Sequence, residues 1–202
     1  VKSGFSVGVS DLVVHPDIVK KNREAILETR NKEVELSKKI HLNILEDVAG
    51  DMSAVYDSEV ANLTGALDGK LKKQVISNLD YRDNRVAFMV ASGAKGKDTN
   101  IKQMMVSLGQ QTIDGGRVPI NFTDRTHPAF PRYENGMESR GFVGSNFREG
   151  LHPIEFYFHA MSGRVGLIDT AVKTATSGYL QRKLVKGMED LRTYGDGTIR
   201  DS

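Results

Sequence analysis

Gly163-Arg-Val-Gly-Leu-Ile-Asp-Thr-Ala-Val-Lys-Thr-Ala-Thr-Ser-Gly-Tyr-Leu-Gln-Arg-Lys-Leu-Val-Lys186 is the stretch on which the fold turns. Ile154, Phe158, Met161, Val165, Ile168, Val172, Ala175 and Tyr179 recur upstream and within it at alternating spacings of four and three. Leu180, Leu184, Met188 and Leu191 carry the pattern onto a neighbouring face. That period is helical and is sustained over nearly forty residues, so the helix reaches roughly 60 Å at about 1.5 Å per residue. Pro153 suits the first helical position, where its missing N–H would be unpaired anyway. Glu155 complements the helix dipole in the first turn.

Gly163, Gly166 and Gly178 sit inside this helix, each costing about 1 kcal/mol relative to alanine. They admit two readings. One is close packing of a neighbouring backbone; the other is a helix meant to bend, with a small-residue surface open to a partner.

Outward from this helix, the 202 residues hold 28 Lys and Arg against 26 Asp and Glu, a net charge of +2. Such a balance does not announce a nucleic-acid binder by itself. There is no apolar run long enough for a transmembrane helix, and the reading includes no membrane partner. The absence of cysteine removes disulfides and thiolate metal sites. Five histidines (His15, His41, His127, His152, His159) lack zinc-ligand spacing, so no metal site is expected. His159 is expected to be packed or hydrogen-bonded.

Toward the N-terminus, Phe5-Ser-Val-Gly-Val9 alternates weakly and predicts a short strand ending at Asp11. A charged helix is predicted over about 17–48, with Ile26, Val34, Ile40, Ile44 and Val48 as its apolar positions. A second, over about 56–79, uses Val60, Leu63, Leu67, Leu71, Val75 and Leu79. Gly50 and Asp51 break the chain between them. The simplest arrangement is an antiparallel hairpin, though Gly65 and Gly69 weaken the second helix.

Ser92-Gly-Ala-Lys-Gly-Lys-Asp-Thr-Asn-Ile-Lys-Gln-Met104 is a glycine-rich turn followed by a helix predicted over 99–108, with Thr99 or Asn100 able to cap it. Free backbone N–H groups and two lysines suit an anion. An ordinary capped turn is the alternative, and the spacing is not that of a Walker A loop because Gly96-Lys97 is followed by Asp98. Residues 121–150 are rich in Gly, Pro and aromatics and predict irregular structure packed under the long helix.

The 163–186 stretch, together with Ser92–Lys97, Leu108-Gly-Gln-Gln111 and Asn146-Phe-Arg-Glu-Gly-Leu151, resembles the largest subunit of multisubunit DNA-directed RNA polymerases of eukaryotes, archaea and large DNA viruses. The resemblance covers the whole chain. It implies a mainly α fold with short strands and irregular loops. A funnel region with a helical hairpin would occupy 1–90, a pore region 91–150, a bridge helix 151–192 and a tail 193–202. It implies that Lys95 lies near the triphosphate of the incoming nucleotide, and that Gln110 and Gln111 line the pore, although surface or buried structural amides fit them equally. It places Thr174 and Ala175 against the template base, with Lys173, Tyr179 and Arg182 near the template strand. Gly163, Gly166 and Gly178 would be the hinges used in translocation.

The implied partners are other polymerase subunits, the second-largest above all, template DNA and RNA, nucleoside triphosphates, and a transcript-cleavage factor at the funnel. The location is nuclear for a eukaryotic source, or a virion or cytoplasmic factory for a large DNA virus. The family holds magnesium on an Asn-Ala-Asp-Phe-Asp-Gly-Asp motif that this chain does not contain. The motif is expected before residue 1 and the trigger loop after residue 202, so the segment alone is expected to hold no cofactor and to be inactive. Val165, Thr176 and His152 depart from the common eukaryotic pattern. The lost acidity at Val165 bears on the mushroom toxin that acts on this helix in nuclear polymerase II. Two rival readings come from other classes: a non-catalytic helical interaction or scaffold module, and a stand-alone phosphate- or RNA-binding protein built on the Ser92–Lys97 turn.

Overall fold

The computed structural model describes residue 4 and residues 6–42, 52–120 and 123–201. It is mainly helical, with short antiparallel strand pairs, and divides into two compact units, Val1–Met161 and Ser162–Ser202.

In the first unit, α1 (Pro16–His41) and α2 (Met52–Ile76) pack along each other. Tyr56 meets Glu33 while Lys70 meets Glu28, so the two helices run antiparallel. The apolar stripe of α2 is the reason they pair: Val60, Leu67, Leu71 and Val75 are buried at helical spacing. Gly65 and Gly69 do not interrupt α2. Ala25 of α1 joins Leu67, Leu71 and Val75 in a core that also takes in Val86, Ile101, Met105, Val106, Met137 and Phe142. The predicted end of the first helix, with Ile44, Val48, Gly50 and Asp51, lies outside the described residues.

The strand predicted before Asp11 is not present in its described part. Residues 6–8 have no regular structure, and Val9–Leu12 form a 3-10 turn. The physical reason is Asp11. Its carboxylate accepts the Gly8 N–H at 2.8 Å and the Arg85 N–H at 3.3 Å, offering the backbone a local alternative to a strand ladder.

A short helix that the sequence reading did not single out, α3 (Arg85–Ala91), follows α2. Asn84 caps it by accepting the Ala87 N–H at 2.9 Å, while its own amide donates to Asp11 O at 2.6 Å. Next comes α4 (Asp98–Met105), shorter than the predicted 99–108. The chain then forms β1 (Gly109–Gln110), the small hairpin β2 (Thr112–Ile113) and β3 (Gly116–Arg117), irregular residues, and β4 (Phe142–Val143). β1 pairs antiparallel with β4, setting Gly109 opposite Val143 and Gln110 opposite Phe142.

A buried polar cluster pins α2 to this irregular part. The Arg117 guanidinium donates to Asp57 on α2 and to Asn135 O at 3.0 Å, and lies over the Tyr56 ring. Arg140 donates to Val118 O at 2.6 Å. Tyr56 in turn donates its hydroxyl to the buried Glu33 carboxylate; burial first, then that carboxylate, pushes the phenol well above its ordinary pKa.

The last helix, α5, runs unbroken from Pro153 to Met188, 36 residues or about 54 Å. Pro153 is its first residue, as predicted. Glu155 does more than meet the dipole: its carboxylate accepts N–H bonds from His152, Gly144 and Ser145 at 3.0 to 3.2 Å, tying the helix start to the end of β4. Phe158 is buried and stacks on Phe130, with ring centroids 6.3 Å apart. In the second unit, every residue of α5 from Gly166 to Met188 is exposed. Leu191 and Arg192, expected to continue the long helix, do not: α5 stops at Met188, and β5 (Leu191–Thr193) pairs antiparallel with β6 (Ile199–Asp201) around a turn at Gly197 with φ +79.

Candidate functional site

The glycine-rich turn lies between α3 and α4. Gly93 (φ +71) and Gly96 (φ +84) adopt the left-handed backbone that glycine takes without strain. At Gly96 a Cβ would also come within 3.2 Å of the Val90 side chain. The Lys97 N–H donates to Asn100 Oδ1 at 2.8 Å, so Asn100 does support the helix start, from inside the first turn. Lys95 and Lys97 are exposed, and among the described residues neither ammonium meets an acceptor. The turn thus offers two unengaged cations. Asp98, in the first turn of α4, is the one carboxylate among residues 92–100.

Gln110 and Gln111 are held differently. The Gln110 amide donates to Gln111 O at 2.9 Å and to Arg140 O at 2.7 Å, and its side-chain oxygen is buried without a hydrogen-bond partner in the protein. Gln111 is buried; its amide donates to Gly109 O at 3.2 Å, and its Oε1 lies 3.1 Å from His159 Nδ1. His159 is therefore hydrogen-bonded, as expected, and its ring also meets Phe147 edge-on. Both glutamines are held at this face through hydrogen bonds from their side-chain NH2 groups to backbone carbonyls.

Gly109 itself has φ +88, and a Cβ there would lie 2.7 Å from Asp68 Oδ1 and 2.8 Å from Lys102 Nζ. The strand enters directly over an ion pair: Lys102 on α4 is 3% exposed, and its ammonium donates to Asp68 Oδ2 at 2.7 Å and to Leu108 O at 3.2 Å. The sequence gives no signal for this pair, since its members are 34 residues apart and Lys102 reads as one more surface lysine.

The second-unit candidates lie along α5. The Lys173 ammonium pairs with Asp169 one turn back at 2.5 Å. Thr174 returns its hydroxyl to Thr170 O at 2.8 Å. Ala175, Tyr179 and Arg182 share one stripe by their spacing of four and three. Tyr179 also carries the Lys183 ammonium 4.3 Å from its ring centroid. Gly163, Gly166 and Gly178 have no atom within 4 Å of where a Cβ would stand, and none has a left-handed backbone. Among the described residues, neither a packed neighbour nor backbone strain accounts for them.

Among the described residues no three His, Cys, Asp or Glu side chains are grouped so as to hold a metal ion.

Comparison with known proteins matches these features to one family. A family model described as RNA polymerase Rpb1, domain 4, matches residues 36–143, and one described as RNA polymerase Rpb1, domain 5, matches residues 150–202. The DNA-directed RNA polymerase II subunits RPB1-B and RPB1-A of Trypanosoma brucei brucei are each 39% identical over 200 residues, covering 98% of this chain and 11% of theirs. The DNA-directed RNA polymerase III subunit rpc1 of Dictyostelium discoideum is 38% identical over 200 residues, covering 98% of this chain and 14% of its own. The chain spans only a small part of these relatives' length. With matches across the hairpin, the glycine turn, the glutamine strand and the long helix, the chain belongs to the RNA polymerase Rpb1 family, the largest subunits of DNA-directed RNA polymerases.

Proposed function

We propose that this chain forms the wall of the channel through which nucleotides reach the active centre of a DNA-directed RNA polymerase, together with the bridge helix that crosses the cleft. The parent reaction is nucleotidyl transfer from nucleoside triphosphates to RNA on a DNA template, carried out by the whole complex. In this reading residues 1–90 build the funnel, 91–150 the pore, 151–192 the bridge helix, and 193–202 the segment leading onward. The α1–α2 hairpin meets backtracked RNA and a transcript-cleavage factor. The eukaryotic polymerase II and III relatives favour a nuclear enzyme.

One observation carries this reading: α5 is a long helix with three glycines that none of the described residues packs against, and it is exposed from Gly166 onward. A helix of that kind is made for partners. Template DNA beside Thr174, Ala175, Tyr179 and Arg182, and the second-largest subunit on the remaining faces, supply them. The bend at Gly163, Gly166 and Gly178 serves translocation. Lys95 offers an unpaired cation on an exposed turn, which suits the triphosphate of the arriving substrate. The magnesium ions belong to aspartates outside this segment, and the segment positions substrate rather than reacting with it.

The test is Lys95→Ala in the assembled polymerase, read as elongation rate against nucleotide concentration. The expected result is a half-saturating concentration raised roughly tenfold, the scale of one charge-assisted contact, with a smaller change in maximal rate. An unchanged concentration dependence removes Lys95 from the substrate path.

A further inference from the structure

We propose that Asp68 and Lys102 are a positioning pair that fixes the glutamine strand and, through Gln111 and His159, the start of the long helix. The proposal rests on the reading of that strand and helix given above. Its physical basis is the way the chain turns around one lysine. The Lys102 carbonyl accepts the Val106 N–H at 2.8 Å and the Ser107 N–H at 3.1 Å, closing α4. Its side chain doubles back so that the ammonium takes Leu108 O at 3.2 Å. Three successive residues, Val106, Ser107 and Leu108, are therefore held by a single side chain and its own carbonyl. Asp68 anchors that ammonium from α2, 2.7 Å away.

The path onward is continuous. Gly109 passes over the pair so closely that any Cβ would collide with both partners. Its carbonyl accepts the Gln111 amide at 3.2 Å, and Gln111 Oε1 meets His159 on α5 at 3.1 Å. The Gln111 N–H is fixed separately on Gly141 O at 2.8 Å. The links at Leu108 O, Gly109 O and His159 are directional bonds and Gly109 meets the pair in close contact, so a shift of Lys102 is passed on along the strand. An apolar side chain would fill the same volume without the desolvation that a buried ammonium incurs. What it could not do is choose Leu108 O. The pair is a device for specifying one path of the chain, which is the best-attested use of a buried ionic group.

Three variants in the assembled polymerase test this: Asp68→Asn, the double replacement Asp68→Leu with Lys102→Met, and Asp68→Glu. The double replacement keeps the volume apolar and folded while removing the bond to Leu108 O. Hydrogen–deuterium exchange is read on peptides covering 106–113 and 153–161, beside maximal elongation rate and half-saturating nucleotide. The expected result is faster exchange in both peptides for the first two variants. Maximal rate should fall about tenfold, within the range that a small misplacement of positioning groups costs, at little-changed half-saturation. Asp68→Glu should restore both readouts in large part.

Parental exchange over 106–113 and 153–161 in the double variant, with any loss confined to α2 and α4, overturns the proposal. Gln111→Ala separates the two ideas. Faster exchange in Asp68→Asn combined with parental elongation in Gln111→Ala supports the positioning path and counts against the functional reading of the strand.

Discussion

Glu134 sits in a half-buried position where charge is unwelcome. Burial first, then the carboxylates of Glu138 and Glu33, raise its pKa above the ordinary value, with Arg30 opposing them. The sign follows from linkage. A carboxyl whose folded pKa is raised favours the folded state while protonated, below its unfolded pKa, and that contribution is lost as pH rises through the folded value. Above that window the charged Glu134 is a liability. Glu134→Gln should therefore raise the thermal midpoint of the chain at pH 7, and the advantage over the parent should close as pH falls below about 4, the unfolded range of a glutamate. A midpoint difference that is the same at pH 4 and pH 7 would show that Glu134 is not strained by charge. Residue-level features of this kind were the least legible in the sequence. Glu33, Glu134 and Asp68 look like any surface carboxylate until a partner 23 or more residues away is placed beside them, as Tyr56 is beside Glu33.

Elements were far easier to read, and the reasons are local. The period of Val60, Leu67, Leu71 and Val75 specifies one buried face, so α2 survives two glycines. Pro153 and Glu155 mark the start of α5 by rules confined to a single turn. Reading failed where a side chain redirects the backbone. Asp11 turns the expected strand into a 3-10 turn, and past the end of α4 the Lys102 ammonium takes Leu108 O, within the span predicted as helix. The apolar stripe of α5 was legible too, but not what covers it: Ile154, Phe158, Met161 and Val165 are at least partly covered within the chain, while Ile168, Val172 and Tyr179 are exposed. With open space around it and helical backbone, Gly178→Ala should stabilise α5 by about 1 kcal/mol, read as greater helicity in the 202-residue chain. In the assembled enzyme the same change, and more so Gly178→Val, should slow forward translocation measured by single-molecule elongation. Raised helicity with unaltered pausing and stepping would leave α5 a strut and not a hinge.

At the scale of the whole molecule, two units differ in what supports them. The first carries a shared core, from Ala25 and Leu71 through Ile101 and Met105 to Phe142, and a buried ionic network across α2 and the irregular region. The second carries an exposed helix and a three-residue-per-strand hairpin, and its apolar residues Leu167, Val172, Leu180 and Leu184 are exposed. Large exposed apolar surface of this sort belongs to proteins that function in assemblies. Family membership was legible because the long-helix and glycine-turn segments are contiguous in the sequence; the geometry linking the hairpin to the glutamine strand was not, because it depends on tertiary neighbours.

The proposed role of α5 is to support the template strand. A photo-crosslinking amino acid at Thr174, in a halted and active elongation complex, decides whether it does. The predicted result is an adduct with the template DNA at the base about to be copied, moving by one nucleotide when the complex is walked forward one step. An adduct only with protein, in a complex that elongates at the parental rate, would contradict it.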